Sequence, residues 1–198
     1  MAVPSGGTLG VVVCHPHPRY GGDMDSPVVV TAARACARQG LATLRFNFRG
    51  VGASEGAWDE GRGERIDVRS AIAHLHSSLA RPARIALAGY SFGAAMAAAV
   101  AASGEPLAGL ALIAPPISVP SWERPSLLSI DGPLLVVAGS HDAYCPRGAL
   151  ATLATTIPAA TITVIDGADH FFFAGLPALD AAVAAWAAKL MPESRPVA

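Results

Sequence analysis

The feature that most constrains this chain is a serine between two glycines, at the junction of a predicted strand and a predicted helix. Residues 89–93 read Gly-Tyr-Ser-Phe-Gly. The apolar run 84–88 precedes them, and the alanine-rich run 94–102 that follows is a strong helix former. So tight a turn needs small residues two before and two after the serine, and it strains the serine backbone. The pattern predicts that the turn exposes the hydroxyl of Ser91 as a nucleophile, with helix N–H groups directed at any negative charge formed beside it.

A second Gly-x-Ser-x-Gly sequence occupies residues 52–56, with Ser54 at its centre. The residues that follow it, 57–63, are rich in glycine and charged side chains and do not begin a helix. A glycine-rich loop after a strand explains this copy. We therefore predict that Ser91, and not Ser54, is the nucleophile.

Strand-like and helix-like segments alternate along the chain, which predicts a parallel α/β sheet. Most strand candidates are continuous apolar runs, as expected when helices cover both faces of a sheet. Right-handed crossovers then favour an α/β, doubly wound, mostly parallel sheet of about six strands with helices on both faces. The predicted strands are 9–14, 42–46, 84–88, 107–114, 134–138 and 161–165, and the predicted helices are 27–38, 63–79, 92–103, 147–156 and 176–190.

Local signals refine this outline at three places. Ser26 and Pro27 predict the start of the first helix, with the serine as its capping residue, and Gly40 predicts its end. Only eight residues precede the first predicted strand, too few for an antiparallel hairpin, so N-terminal strands are expected to be reduced or absent. The proline-rich stretch 115–133 is too short to fold into a separate helical lid.

The composition excludes several classes of protein but does not indicate which reaction the protein catalyses. At 198 residues the chain is long enough to bury a substantial core and is predicted to be a single domain over residues 1–198. A formal net charge of −1, without lysine or arginine clusters, argues against a nucleic-acid partner or a membrane surface. The apolar runs are short, no leader pattern opens the chain, and three scattered cysteines imply no disulfide framework. The expected location is therefore the cytoplasm, no cofactor is predicted, and the oligomeric state is left open.

A serine hydroxyl is a weak nucleophile until a base removes its proton. After a turn of this kind, the acid and the histidine follow the serine along the chain, each on a loop at the carboxyl end of a strand. Residues 139–142 read Gly-Ser-His-Asp, and residues 166–170 read Asp-Gly-Ala-Asp-His. We predict that His170 is the base that serves Ser91 and that Asp142 is the acid that orients it.

Other residues fit these roles less well. Asp166 and Asp169 lie on the loop of the histidine itself, where turn-forming and capping roles are commoner, and Asp131 precedes its strand at the opposite end of the sheet. His74 and His76 are expected on different faces of a helix, in contact with solvent.

The negative charge that forms on a reacting carbonyl oxygen needs hydrogen-bond donors. One is predicted to be the backbone N–H of Phe92, the residue after the nucleophile. The loop 14–22, after the first strand, is predicted to supply the other. Both prolines of that loop lack an N–H, so His17 is the first choice for this donor, with Tyr20 and Gly21 behind it.

The same loop allows a rival interpretation, a metal site formed by Cys14, His15, His17 and Asp23. The sequence offers no remote ligand to complete it, so no metal is predicted.

Aromatic side chains on loops near the predicted site could contact a substrate. Core packing beneath those loops is the alternative explanation for them. They are Tyr20, Trp122, Tyr144 and Phe171, followed by two more phenylalanines.

Together, these residues resemble the α/β-hydrolase superfamily, and more closely its small lidless bacterial serine hydrolases, which share a His-Pro-His-Pro loop and are related to dienelactone hydrolases. The similar blocks are residues 15–22, 45–56, 89–93 and 169–172. The resemblance implies a lidless α/β-hydrolase core, a triad of Ser91, Asp142 and His170, and ester hydrolysis. Relatives usually begin with additional strand, which this chain lacks, and dienelactone hydrolases use a cysteine where this chain has serine.

The leading functional expectation is a serine hydrolase that cleaves small carboxylic esters through an acyl-enzyme. A thioesterase or a small-amide hydrolase would use the same groups and stays open as an alternative. A catalytically silent hydrolase fold that serves as a binding module is the alternative of another class. Reaction of Ser91 with a fluorophosphonate would distinguish an enzyme from such a module. The expected partner is a small-molecule ester, whose identity the sequence does not specify.

Overall fold

The computed structural model describes residues 1–119 and 131–191. Its strands are β1 (Leu9–Cys14), β2 (Ala42–Arg45), β3 (Arg84–Tyr90), β4 (Leu110–Ile113), β5 (Leu134–Gly139) and β6 (Thr161–Ile165). Its helices are α1 (Pro27–Arg38), α2 (Arg62–Ser77), α3 (Phe92–Ala102), α4 (Arg147–Thr156) and α5 (Leu176–Leu190). The strands form one six-stranded sheet in the order β2-β1-β3-β4-β5-β6, and every neighbouring pair is parallel. The predicted fold class is confirmed.

Helices bury both faces of this sheet, and alternate residues of each strand face opposite cores. In β1, Val11 and Val13 belong to the core that α1 and α5 cover, whereas Val12 belongs to the core on the other face, covered by α2, α3 and α4. The four central strands are accordingly almost completely buried. The edge strand β6 is the exception, because only Ile165 in it is buried.

Four strands differ in length from the prediction, two of them, β2 and β5, by a single residue. For β3 and β4 the pairing with neighbouring strands gives the reason. β3 continues past the predicted residue 88 to Tyr90, since Gly89 and Tyr90 still pair with Leu112 and Ile113 of β4. β4 starts at Leu110 instead of residue 107, at the point where its pairing with β5 starts.

Ser26 is the N-cap residue of α1, as predicted, but its side chain makes no capping hydrogen bond to the helix. The main chain starts this helix instead. Pro27 lies in the first turn with its fixed φ, and the carbonyl of Ser26 accepts a hydrogen bond from the N–H of Val30 at 2.9 Å. The end of the helix is as predicted, with Gly40 left-handed at a φ of 83°.

The N-terminal segment contacts the sheet without adding a strand to it. Ala2 forms an isolated antiparallel bridge with Thr43 at the outer edge of β2, through N–H···O bonds of 2.9 and 2.8 Å. The expectations about a lid over 115–133 and about Trp122 fall largely on residues 120–130, outside the described residues. Within the described ranges, no helix is long and apolar enough to cross a membrane.

Candidate active site

The sheet order places two loops side by side at the carboxyl ends of β1 and β3. From β1 the chain passes through α1 to the outer strand β2, then through α2 back to β3 on the other side of β1. Cys14, at the end of β1, pairs with Gly89 of β3. Open parallel sheets bind ligands in the crevice at such a reversal. The loop after β1 and the serine turn after β3 therefore meet where a site is expected.

Ser91 lies on the turn between β3 and α3 with a φ of 54° and a ψ of −117°. This is the strained backbone expected at an exposed nucleophile. A Cβ on Gly89 would overlap the backbone of Gly93, and a Cβ on Gly93 would overlap the carbonyl oxygens of Cys14 and His15. Only glycine fits at either position, so the turn depends on both.

The side chains of Ser91, His170 and Asp142 form a continuous hydrogen-bonded chain. Ser91 Oγ lies 3.0 Å from His170 Nε2, although the two residues are 79 positions apart. His170 Nδ1 lies 2.9 Å from Asp142 Oδ2 and 3.1 Å from its Oδ1. The buried carboxylate accepts, so Nδ1 carries the ring proton and Nε2 is the acceptor that faces the serine hydroxyl. Such a chain can remove the proton of Ser91 and stabilise the resulting imidazolium.

Backbone groups fix the carboxylate in this position. Asp142 Oδ1 also accepts hydrogen bonds from the N–H of Tyr144 at 2.8 Å and of Cys145 at 3.0 Å. The loop after β5 thus wraps around the carboxylate that it carries. Hydrogen bonds within this loop therefore fix the orientation of the carboxylate independently of its contact with His170.

The competing residues lie elsewhere or have other partners. The hydroxyl of Ser54 donates to the carbonyl of Asn47 at 2.8 Å, which closes the glycine-rich loop on itself. Asp169 Oδ1 accepts from the N–H of Phe171 at 3.0 Å, a turn-forming contact. Asp166 is exposed and lies 3.5 Å from Arg147.

Tyr90 is a site residue that sequence reasoning missed. Its hydroxyl donates to the backbone carbonyl of His170 at 3.0 Å, and its ring lies 5.6 Å from the imidazole. Burial, followed by the nearby carboxylates, raises the pKa of Tyr90, so the hydroxyl keeps its proton and remains a donor. Phe172 packs against the same ring, fully buried, with a φ of 57°. The residue beside the nucleophile therefore anchors the loop that carries the base.

His15 is a second residue whose role the sequence did not reveal. It is fully buried, with Nδ1 2.6 Å from the carbonyl of Pro16 and Nε2 accepting from the N–H of Phe48 at 3.0 Å. Burial lowers the pKa of His15, against opposing effects of that carbonyl and of Asp23. Both ring nitrogens are occupied in tying the loop after β1 to the loop after β2. In the part of the chain that the structure describes, no three His, Cys, Asp or Glu side chains are grouped to hold a metal ion.

The side chains of the two residues predicted to supply the oxyanion donors lie close to each other. The rings of Phe92 and His17 lie 5.0 Å apart. Neither backbone N–H has an acceptor among the described residues. The two alternative donors predicted from the sequence already have acceptors. The N–H of Tyr20 donates to His17 O at 3.1 Å, and the N–H of Gly21 donates to Pro18 O at 3.3 Å.

Aromatic rings adjoin His17 on one side of the serine turn. The ring of Tyr20 is 86 % exposed and lies 4.6 Å from that of His17. Trp58, which the sequence did not single out, lies 4.6 Å from His17 and 5.0 Å from Phe92, ring to ring. Trp58 lies on the loop before α2, far from Ser91 in the sequence, and only the fold brings the two residues near each other. Trp122 is outside the described residues.

A second set of rings adjoins His170. Tyr144 lies 4.6 Å and Phe171 5.5 Å from the imidazole, and they are 47 % and 55 % exposed. Phe173, 85 % exposed, lies 5.7 Å from Phe171. Exposed rings thus lie beside the predicted base.

Known proteins share this sequence and fold. The alpha/beta hydrolase domain family matches residues 11–175. An uncharacterized protein of Rickettsia prowazekii is 30% identical over 168 residues, which are 81% of this chain and 71% of that protein. An uncharacterized protein of Mycobacterium tuberculosis is 34% identical over 158 residues, and the match spans only 53% of its length.

Two solved structures resemble the whole chain. An alpha-beta serine hydrolase homologue from Coxiella burnetii is 33% identical with a TM-score of 0.81, over 93% of this chain and 94% of its own. A serine hydrolase without lid from Xanthomonas campestris is 32% identical, also with a TM-score of 0.81, over 98% of this chain and 86% of its own. The family match covers most of the sheet and the serine turn, and these two structures reproduce the fold around them. The chain therefore belongs to the α/β-hydrolase domain family and has the fold of its serine hydrolases.

Proposed function

We propose that this protein is a serine hydrolase that cleaves small carboxylic esters through an acyl-enzyme, with Ser91, His170 and Asp142 as its catalytic triad. The observation that carries the proposal is the unbroken chain from Ser91 Oγ through the imidazole to the buried carboxylate, placed on a strained turn. The two solved relatives described as serine hydrolases, each more than 30% identical, support the reaction class.

Acylation begins when Ser91 Oγ attacks the ester carbonyl carbon and His170 Nε2 takes the hydroxyl proton. The carbonyl oxygen becomes negatively charged and accepts hydrogen bonds from the N–H groups of Phe92 and His17. Asp142 stabilises the imidazolium and holds it in the productive orientation. When the carbon–oxygen bond to the alcohol breaks, Nε2 returns its proton to the leaving oxygen, and the acyl group stays on Ser91.

Deacylation repeats these roles with water as the nucleophile. His170 Nε2 takes a proton from water, whose oxygen attacks the acyl carbon, and the same two N–H groups stabilise the charge. The bond to Ser91 Oγ then breaks, the proton passes to that oxygen, and the carboxylic acid leaves. The serine is regenerated, and one water molecule is consumed for each ester cleaved.

A labelling experiment combined with an activity assay tests the proposal. The wild-type protein should react with a fluorophosphonate probe at Ser91 and hydrolyse p-nitrophenyl acetate. Ser91→Ala should abolish labelling and reduce hydrolysis to near background, whereas Ser54→Ala should keep most of both. A thioester and an anilide in the same assay separate the alternative substrate classes. A wild-type protein that is folded but neither labelled nor active would exclude the enzyme in favour of a binding module.

A further inference from the structure

We infer that the alcohol side of this site is shaped for a flat aromatic ring, so that the preferred substrates are esters of arylmethyl alcohols. The inference rests on the proposed function and specifies its substrate class. It concerns the side of the site where the leaving alcohol departs, and it is carried by Tyr144 and Phe171.

The chemistry determines where the alcohol part must lie. His170 Nε2 delivers the proton to the leaving oxygen, so that oxygen comes within hydrogen-bond distance of the imidazole. The substituent on the oxygen then extends over the side chains around that imidazole. The acyl part leaves the carbonyl carbon in another direction, and the carbonyl oxygen points at the N–H groups of Phe92 and His17. The surroundings of His170 are therefore the alcohol subsite.

Those surroundings are aromatic and open. The ring of Tyr144 lies 4.6 Å from the imidazole with an interplanar angle of 57°, and that of Phe171 lies 5.5 Å away at 85°. About half of each residue remains exposed, at 47 % and 55 %. Large apolar side chains exposed together beside a reactive group indicate a binding surface. The two rings stand at steep angles to the imidazole, so a flat substituent there can make edge-to-face contacts with them.

The backbone that carries each ring is fixed by the catalytic loops themselves. The N–H of Tyr144 donates to the carboxylate of Asp142 at 2.8 Å, and its carbonyl accepts from the N–H and hydroxyl of Ser118 at 3.1 and 3.0 Å. The N–H of Phe171 donates to Asp169 Oδ1 at 3.0 Å. The backbone positions of both residues relative to His170 are thus set before a substrate arrives, which lowers the entropy cost of binding.

A rigid ring has two advantages over a flexible alkyl chain here. Aromatic pairs contribute about 0.5–1.5 kcal/mol beyond the area that they bury. A flat ring also has few bonds to immobilise, whereas each bond of an alkyl chain loses rotational freedom in an open site. The aromatic contacts alone predict discrimination between an aromatic and a saturated ring with the same number of carbon atoms.

The test compares benzyl acetate with cyclohexylmethyl acetate, which share the acyl group and the carbon count and differ in aromaticity. Each kcat/KM is divided by the rate constant for alkaline hydrolysis of that ester, which removes the difference in leaving-group chemistry. The wild-type protein should favour the benzyl ester by roughly three- to tenfold. Phe171→Leu and Tyr144→Leu keep an apolar side chain without the ring, and each should move this ratio towards one.

Phe173→Leu is the matched control, because it removes an exposed ring of the same loop that does not contact the imidazole. It should keep most of the wild-type ratio. A wild-type ratio near one, or a ratio that survives both Phe171→Leu and Tyr144→Leu, would overturn the inference while the proposed function stood. If neither ester is cleaved and the fluorophosphonate does not label Ser91, the proposed function fails and the inference fails with it.

Discussion

The hydroxyl of Tyr90 donates a hydrogen bond to the main-chain carbonyl of His170 over 3.0 Å, in the interior of the protein. Tyr90 is the last residue of β3, and Ser91 follows it directly. One side chain thus connects the strand that carries the proposed nucleophile to the loop that carries the proposed base. We therefore expect the separation of Ser91 Oγ and His170 Nε2 to depend on this contact.

Tyr90→Phe should therefore lower kcat and change KM little. The variant keeps the buried ring but leaves the carbonyl of His170 without its donor, a loss of roughly 1 kcal/mol. If that loss appears in the positioning of the imidazole, kcat falls by about fivefold. Steady-state kinetics on a soluble ester measure both constants.

Trp186→Phe is the control for the effect of lost stability. Trp186 Nε1 donates to the carbonyl of Pro133 at 2.8 Å, another buried side-chain contact with the main chain, at the amino end of β5. This variant should lower the thermal midpoint and keep kcat. Equal kcat values for Tyr90→Phe and the wild type would show that Tyr90 does not position His170.

Asp142→Asn should reduce kcat by about 10⁴-fold, as expected when the charge that orients a catalytic histidine is lost. The amide oxygen can still accept from the N–H groups of Tyr144 and Cys145, but the amide nitrogen would then face His170 Nδ1. The imidazole would adopt the tautomer that presents a donor to Ser91. Single-turnover kinetics measure the loss.

Asp169→Asn is the matched comparison, since an asparagine oxygen can still accept from the N–H of Phe171. Its kcat should stay within about threefold of the wild-type value, a free-energy difference below roughly 1 kcal/mol. A greater loss from Asp169→Asn than from Asp142→Asn would place the acid on the loop of the histidine and contradict the order serine, acid, histidine.

The free energy of unfolding should depend on pH through His15. The unfolded chain takes up a proton as the pH falls below the ordinary histidine pKa of 6.5, whereas burial lowers the pKa of His15 in the folded protein. Between these two pKa values the unfolded state binds more protons, so the free energy of unfolding decreases as the pH falls. Urea titrations at about pH 7.5 and about pH 5 measure the decrease.

His15→Gln removes this titration and keeps an oxygen that can accept from the N–H of Phe48. The variant should lose part of the difference in unfolding free energy between the two pH values. His74→Gln, which removes an exposed histidine of α2, should retain the wild-type difference. If the His15→Gln and wild-type differences agree, His15 is not held neutral by burial.

Esters of short acids should be hydrolysed faster than esters of long fatty acids. The whole connection between β4 and β5 spans only residues 114–133, too short for a lid domain that would enclose a long chain. Little apolar wall is then available to bury an acyl tail. Acetate and butyrate esters should exceed laurate and palmitate esters in kcat/KM.

The same reasoning predicts no increase in activity at a lipid–water interface. Rates on a sparingly soluble ester, followed through its solubility limit, should rise smoothly and level off. A sharp increase at that limit, or faster turnover of palmitate than of butyrate, would show that an enclosing element exists.

Much of the fold followed from local patterns in the sequence. α1 and α5 begin and end at the predicted residues, because apolar stretches there are bounded by proline or glycine. The residues of the proposed triad were predicted because each follows a predicted strand, and parallel strands bring such positions to one edge of the sheet. The structure places His170 beside Asp142 and Ser91, although no local signal relates the three.

The contacts that position the site could not be predicted in the same way. The hydroxyl of Tyr90 donates to a carbonyl 80 residues away, and because every residue has a main-chain carbonyl, the sequence does not indicate which one accepts. His15 likewise binds the backbone of Phe48, and Trp58 adjoins His17 only through the packing of three loops. Ser26 lies at the predicted N-cap position of α1, but its side chain does not form the hydrogen bond that this local pattern predicts.

The close approach of Gly93 to the carbonyl oxygens of Cys14 and His15 has a consequence for how specificity can change in such proteins. At this contact, main-chain atoms limit how closely the serine turn and the loop that carries His17 approach each other. Substitutions at Trp58, Tyr144 or Phe171 are therefore expected to reshape the walls of the site without altering the two N–H groups that we propose receive the negative charge. Substitution of these aromatic side chains can thus accommodate new substrates, while the position of the reacting carbonyl group stays the same.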